Sequence, residues 1–121
     1  MSIVEYEGMK PKIGEGVFLA PGSWVIGDVT LGDGVTVWTG AVIRGDDNKV
    51  TIGARSAVLE NCIIEAPTGN PVVIGDEVII SHGAVVHGAT VKDNALIGIN
   101  ATVLDGATVG KGAIVAACAL V

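Results

Sequence analysis

Aliphatic residues recur at every sixth position through most of this chain. A small residue follows most of them four positions later, and turn formers such as Gly32-Asp33-Gly34 lie between. A helical period of 3.6 residues cannot produce this spacing, whereas a short strand followed by a corner can. The series, with two insertions and one deletion, is Ile13, Leu19, Val25, Leu31, Val37, Ile43, Ile52, Val58, Ile64, Ile74, Ile80, Val86, Val91, Ile97, Val103, Val109, Val115 and Val121.

The six-residue period predicts an all-β fold, a parallel β-helix. Three hexads would close one triangular coil, with the large aliphatic and the small residue pointing inward and the coils stacked about 4.8 Å apart. One coil buries little apolar surface, so stability must come from stacking neighbouring coils. We therefore expect one domain over residues 1–121 with about six coils, in which residues 1–12 cap the first coil.

The repeat is interrupted three times, each time in the third hexad of a coil. Residues 44–49 add three positions before Ile52, residues 65–71 add four before Ile74, and the hexad 86–90 is one residue short. The departures should therefore lie along one edge of the triangle. Loops held by a rigid scaffold often carry function, so this edge is a candidate functional site. The alternative is that one corner simply tolerates insertions.

Composition narrows the class of protein. The chain has 121 residues, a net charge of −6 and only 3% aromatic residues, so its core must be built from aliphatic side chains. The negative charge argues against nucleic-acid binding. No apolar run is long enough to span a membrane, no signal-peptide pattern begins the chain, and two distant cysteines make no disulfide framework. We expect a cytoplasmic protein that binds neither nucleic acid nor membrane.

The two histidines lie five residues apart, and His87 falls at the interrupted edge. The repeat predicts that Arg44, Glu65 and His87 stack on successive coils, while Glu60 and His82 form a separate column. One carboxylate and two imidazoles are a common ligand set for Zn²⁺ or Fe²⁺ and leave a position open for water. If His82 cannot reach the His87 of its own chain, a neighbouring protomer of a trimer could supply the His82 ligand. The alternatives are a Glu65–Arg44 ion pair and ordinary surface histidines.

Two stretches around these residues resemble the γ-class carbonic anhydrase family of hexapeptide-repeat proteins. They are residues 37–46 (Val-Trp-Thr-Gly-Ala-Val-Ile-Arg-Gly-Asp) and residues 80–88 (Ile-Ser-His-Gly-Ala-Val-Val-His-Gly). The resemblance implies a left-handed β-helix and a homotrimer with a metal at each interface, Zn²⁺ or alternatively Fe²⁺ or Co²⁺. His82 and His87 match two of the family's three histidine ligands, and His82 matches the one donated across the interface.

Other residues match the family in part. Arg44 and Asp46 match a pair that ties subunits together and lines the site. Glu65 stands where the family has its third histidine, and Leu59-Glu60 stands where it has Gln-Asp. The sequence stops at residue 121, before the point at which the family has a C-terminal helix. A carboxylate ligand would weaken the metal as a Lewis acid, so these departures affect activity more than metal binding.

Three functions are open on this basis. The first is a metal-dependent lyase that hydrates CO₂ to bicarbonate, in which Arg44 holds the anionic product and Glu60 accepts a proton. The second is a trimeric scaffold or metal-binding protein without catalysis, which Leu59 and Glu65 favour. The third is an acyltransferase, since many hexapeptide-repeat proteins use a histidine beside coenzyme A.

Overall fold

A computed structural model of the chain describes residues 2–121, which contain mostly short strands and no helix. All the strand pairs are parallel. The strands are β1 Ile3–Val4, β2 Lys12–Ile13, β3 Phe18–Leu19, β4 Trp24–Leu31, β5 Thr36–Val37, β6 Val42–Ile52, β7 Ala57–Val58, β8 Ile63–Glu65, β9 Val72–Ile74, β10 Ile79–Ile80, β11 Val85–His87, β12 Thr90–Val91, β13 Leu96–Ile97, β14 Thr102–Val103, β15 Thr108–Val109 and β16 Ile114–Val115.

The strands stack into three faces of a prism. We call first face the stack that runs through Leu31 and Ile52, second face the stack through Val37 and Val58, and third face the stack that contains Ile43. On each face the inward aliphatic of one coil lies over that of the next, so the pairing follows the sequence repeat in phase. The predicted parallel β-helix of about six coils is confirmed.

The core is a column of these inward side chains. Ile43, Ile64 and Ile80 are fully buried, as are small residues at the alternate inward positions such as Ala84 and Cys62. The aliphatic residues of the final coil are less covered, because only one neighbouring coil packs on them. Burial of the apolar column on both sides of each coil is what stabilises the stack.

The faces meet at three corners. The first corner follows the first face, the second corner follows the second face, and the third corner joins the third face to the first. At the first corner aspartates cap the backbone of a neighbouring coil: Oδ1 of Asp76 accepts from Ala54 N at 2.8 Å, and Oδ1 of Asp93 accepts from Asp76 N at 2.8 Å. These bonds satisfy backbone amides that a tight corner would leave without partners.

At the third corner, the three residues that the first interruption adds lie within a continuous strand. Strand β6 continues without interruption from the third face to the first, paired to β4 on both faces. The register passes from Gly27 opposite Gly45 to Val29 opposite Val50, so the extra residues form a bulge within the strand. The pairing survives because the inserted residues leave the ladder and return to it in phase.

Two further features complete the fold. Strand β1 lies beside β4, with Ile3 opposite Val25.

Within residues 2–121, the structure has no helix that could span a membrane.

Candidate functional site: an ionic cluster at the third corner

All three interruptions of the repeat lie at the third corner, as the sequence predicts. The β6 bulge, the segment between β8 and β9 and the short connection between β11 and β12 follow one another on successive coils. Asn48 Nδ2 in the bulge donates to the carbonyl oxygen of Pro67 at 3.4 Å, which joins the first two of these segments. The chain therefore concentrates its irregular backbone along one edge.

The predicted column of Arg44, Glu65 and His87 is present. Strand register sets Arg44 opposite Glu65 and Glu65 opposite His87. Glu65 Oε2 forms an ion pair with the guanidinium of Arg44, and Glu65 Oε1 lies 3.0 Å from Nε2 of His87. The Glu65 side chain is only 16% exposed. Each oxygen of this carboxylate thus has a separate partner, one on the coil below and one on the coil above.

A fourth residue, Asp105, belongs to this cluster and was missed in the sequence. Its Oδ1 lies 2.5 Å from Nδ1 of His87. The hydrogen bond to Asp105 is the largest cause of a raised pKa of the His87 imidazole, burial opposes it, and the charges of Asp105 and Glu65 add to it. The only signal for Asp105 was its place at the same corner, one coil above His87.

Asp46 and Asp47 border the cluster. Oδ1 of Asp46 is buried and lies 3.2 Å from Nε of Arg44, without a hydrogen bond of good geometry, so the contact is an ion pair rather than a directional bond. Carboxylate oxygens of Asp46, Asp47 and Glu65 lie within 4.8 Å of one another. The bond to Glu65 is the largest cause of the raised pKa of the Arg44 guanidinium, and the charge of Asp46 contributes.

His82 is on a different edge. It lies at the second corner, where its Nδ1 is 2.9 Å from Oε1 of Glu60 on the coil below, and both side chains are about half exposed. The predicted separation of this column from Glu65 and His87 is therefore correct. Within one chain the structure brings together Glu65 and His87 but not His82, whose Nε2 has no bond within residues 2–121.

The donor set of the cluster suits a divalent metal. Two ligands at about 2.0–2.1 Å from a tetrahedral Zn²⁺ are separated by roughly 3.3 Å, and Glu65 Oε1 and His87 Nε2 are 3.0 Å apart. Metal-binding histidines usually donate their other ring N–H to a carboxylate, and Asp105 occupies that place. Glu65 can also keep its ion pair with Arg44, because that pair uses its other oxygen.

The chain belongs to the hexapeptide-repeat family described as "Bacterial transferase hexapeptide (six repeats)", which it matches over residues 10–45 and 88–121. Over 66 residues it is 48% identical to a Methanocaldococcus jannaschii protein named "Probable carbonic anhydrase", covering 54% of this chain and 42% of that protein. It is 46% identical over 65 residues to the Arabidopsis thaliana protein "Gamma carbonic anhydrase-like 1, mitochondrial", covering 50% of this chain and 26% of that protein.

A solved structure of a hexapeptide transferase family protein from Anaplasma phagocytophilum superposes with a TM-score of 0.78 and 28% identity. The superposition covers 98% of this chain and 76% of that one. The resemblance to γ-carbonic anhydrase-like proteins is thus confirmed, and the chain spans less than half the length of the curated relatives named above.

Proposed function

We propose that this protein is a γ-carbonic anhydrase-like hydratase that converts CO₂ to bicarbonate at a divalent metal, with Zn²⁺ preferred over Fe²⁺ or Co²⁺. Glu65 and His87 of one copy and His82 of a neighbouring copy would hold the metal. The observation that carries the proposal is the arrangement of Nε2 of His87 opposite Oε1 of Glu65, with each group held from behind by Asp105 or Arg44. The names of the carbonic anhydrase relatives support it.

The polarity of the three faces supports a homotrimer. The outward positions of the first face are mostly polar: Lys12, Thr30, Thr51, Val73, Thr90 and Thr108. Those of the other two faces are mostly apolar and include the exposed side chains Phe18, Ile79, Ile114, Trp24, Ile63 and Leu120. Apolar area of this extent favours burial against other copies. The two apolar faces flank the second corner, so their burial would carry His82 to an interface.

The residues of the chain have separate roles in this proposal. A divalent metal bound by Glu65 and His87 would supply the Lewis acid that activates water. The guanidinium of Arg44, 47% exposed beside the cluster, would hold the anionic product, and the exposed carboxylate of Glu60 would accept a proton from water. Glu65 is an anionic ligand, and an anionic ligand would make the metal less electrophilic than a neutral histidine would. We therefore expect slower turnover than at a site with three histidines.

The test is metal content per subunit and CO₂ hydration, measured on the same anaerobically purified protein. We expect about one metal for each subunit with turnover, and loss of both in Glu65→Ala and His82→Ala. The matched control is Glu77→Ala, which removes an exposed glutamate that also pairs with an arginine, Arg55, on a neighbouring coil at 3.3 Å. Full metal occupancy in Glu65→Ala would contradict the ligand set.

Two other functions have specific support. The Arg44–Glu65 ion pair also satisfies a protein that binds no metal and serves as a trimeric scaffold, and metal without turnover would favour a metal-binding role. The transferase names of the family and of the Anaplasma phagocytophilum protein support an acyltransferase. Dependence of product formation on acetyl-coenzyme A would favour that third function over both others.

A further inference from the structure

We propose that Asp105 is a positioning residue, which accepts a hydrogen bond from Nδ1–H of His87 and so leaves Nε2 unprotonated, with its lone pair aimed at Glu65. The inference rests on the proposed metal site, since it assigns the residue that prepares one ligand for a cation. It concerns the chain's own side chains, and it can be tested on protein that contains no metal.

The geometry is specific to one nitrogen of the ring. Asp105 Oδ1 lies 2.5 Å from Nδ1 of His87, whereas Glu65 Oε1 lies 3.0 Å from Nε2. The backbone keeps Asp105 in place, because Gly106 N donates to the carbonyl oxygen of Gly88 at 2.8 Å and so joins the two coils at the third corner. The imidazole is therefore held between two carboxylates, one on the coil above and one on the coil below.

The two carboxylates do not compete equally for the proton of a neutral imidazole. Glu65 already pairs with the guanidinium of Arg44, which lowers its demand for a second positive partner. Within residues 2–121 the carboxylate of Asp105 has His87 as its sole ion-pair partner. The shorter contact and the uncompensated charge both favour the Nδ1–H form, and a carboxylate on one ring nitrogen is what fixes the tautomer of a metal-binding histidine.

In this tautomer, the lone pair of His87 Nε2 and the Oε1 atom of Glu65 form a pair of acceptors that suits a cation. In the neutral ring, Nε2 of His87 is an acceptor, and it faces Glu65 Oε1, which is also an acceptor, at 3.0 Å. Two acceptors at that distance repel each other unless a positive charge lies between them. A divalent metal ion removes the repulsion while Asp105 and Arg44 keep their contacts.

The experiment uses nitrogen-detected NMR of histidine rings, because the chain has only two histidines and the spectrum is simple. Metal-free protein is recorded at a pH at which both rings are neutral, as wild type, Asp105→Ala and Asp105→Asn. We expect His87 to be the Nδ1–H tautomer in the wild type, to shift to Nε2–H in Asp105→Ala, and to return to Nδ1–H in Asp105→Asn, since the amide oxygen also accepts from Nδ1.

Glu60→Ala is the matched control, because Glu60 makes the same kind of contact with Nδ1 of His82, at 2.9 Å. It should change the His82 signals alone, as Asp105→Ala should change those of His87 alone. Zinc titrations on the same samples should give a roughly 10- to 100-fold weaker affinity for Asp105→Ala and a smaller loss for Asp105→Asn.

The outcomes separate this inference from the proposed function. An unchanged His87 tautomer in Asp105→Ala, with wild-type zinc affinity, overturns the role of Asp105 and leaves the metal site standing. If the Asp105 variants show the expected tautomer changes but the wild-type protein binds no zinc, the positioning role is supported and the proposed function is overturned. Thermal unfolding of each variant identifies loss of folding, and Asp105→Asn keeps the test decisive if Asp105→Ala does not fold.

Discussion

The first and third corners use acidic residues in opposite ways. At the first corner, Asp76 and Asp93 accept hydrogen bonds from backbone amides of a neighbouring coil. At the third corner, Glu65 and Asp105 contact the side chains of Arg44 and His87 instead. A carboxylate bound to backbone amides completes the fold, whereas one bound to charged side chains can exchange a partner for a ligand. Position in the repeat, rather than residue type, separates structural acids from candidate functional ones.

The largest effect on stability should come from a substitution that fills the space beside the aspartates of the first corner. A Cβ at Gly75 would overlap Oδ1 of Asp93 and lie 2.8 Å from its backbone N. We expect Gly75→Ala to lower the free energy of unfolding by about 2–4 kcal/mol, since it overpacks the corner and breaks a backbone cap. Urea denaturation measures the change.

Gly110→Ala is the control for that experiment. Gly110 occupies the same place in the last coil, and a Cβ there meets nothing within 4 Å. Its free energy of unfolding should stay within about 0.5 kcal/mol of the wild type. Equal destabilisation by both substitutions would mean that the aspartate caps do not determine the stability of the first corner.

A pair of substitutions should separate the two kinds of acid. Asp76→Ala leaves the amide of Ala54 without its acceptor, so we expect a loss of about 0.5–1.5 kcal/mol in unfolding free energy with zinc affinity unchanged. Glu65→Ala should do the reverse and abolish zinc binding, with a change in stability under about 1 kcal/mol because its ion pair with Arg44 is partly exposed. Urea denaturation and zinc titration on both variants test this, and a stability loss without a binding loss in Glu65→Ala would contradict it.

The smallest effect is the pH dependence of the third corner in metal-free protein. The pKa of His87 is raised in the folded state, first by its bond to Asp105, so the charged ring stabilises the fold below the ordinary imidazole pKa. That contribution is lost as pH rises through the raised folded-state pKa. Between the ordinary imidazole pKa and the raised folded-state pKa, we expect the unfolding free energy of the wild type to fall by under about 1 kcal/mol relative to that of His87→Ala. The effect is small because His87 and Asp105 are partly exposed.

Urea denaturation of both proteins across that pH range, with chelator present, gives the difference. A stability difference that grows with rising pH has the wrong sign for this assignment. The variant Glu77→Ala, which leaves the third corner intact, should follow the wild-type curve.

Much of the candidate site could be predicted because the repeat converts sequence spacing into stacking. Once the phase of the hexads is known, residues at equal positions on successive coils must be neighbours, and this placed Glu65 between Arg44 and His87 and put Glu60 beside His82. The contact of Asp105 with His87 could not be predicted in this way. Asp105 is one position out of step with His87, and a contact between offset residues depends on how the backbone turns at the corner and which rotamer the ring adopts.

The sequence by itself determined the parallel β-helix, the inward column and the edge where the repeat is interrupted, because a period of six residues is satisfied by one arrangement of strands and corners. The tertiary structure decided how the inserted residues continue strand β6 and which carboxylate contacts each ring nitrogen of His87. Periodic spacing fixes which coil and which face a residue occupies. Direction and distance between side chains at a corner arise only when the backbone has closed the turn.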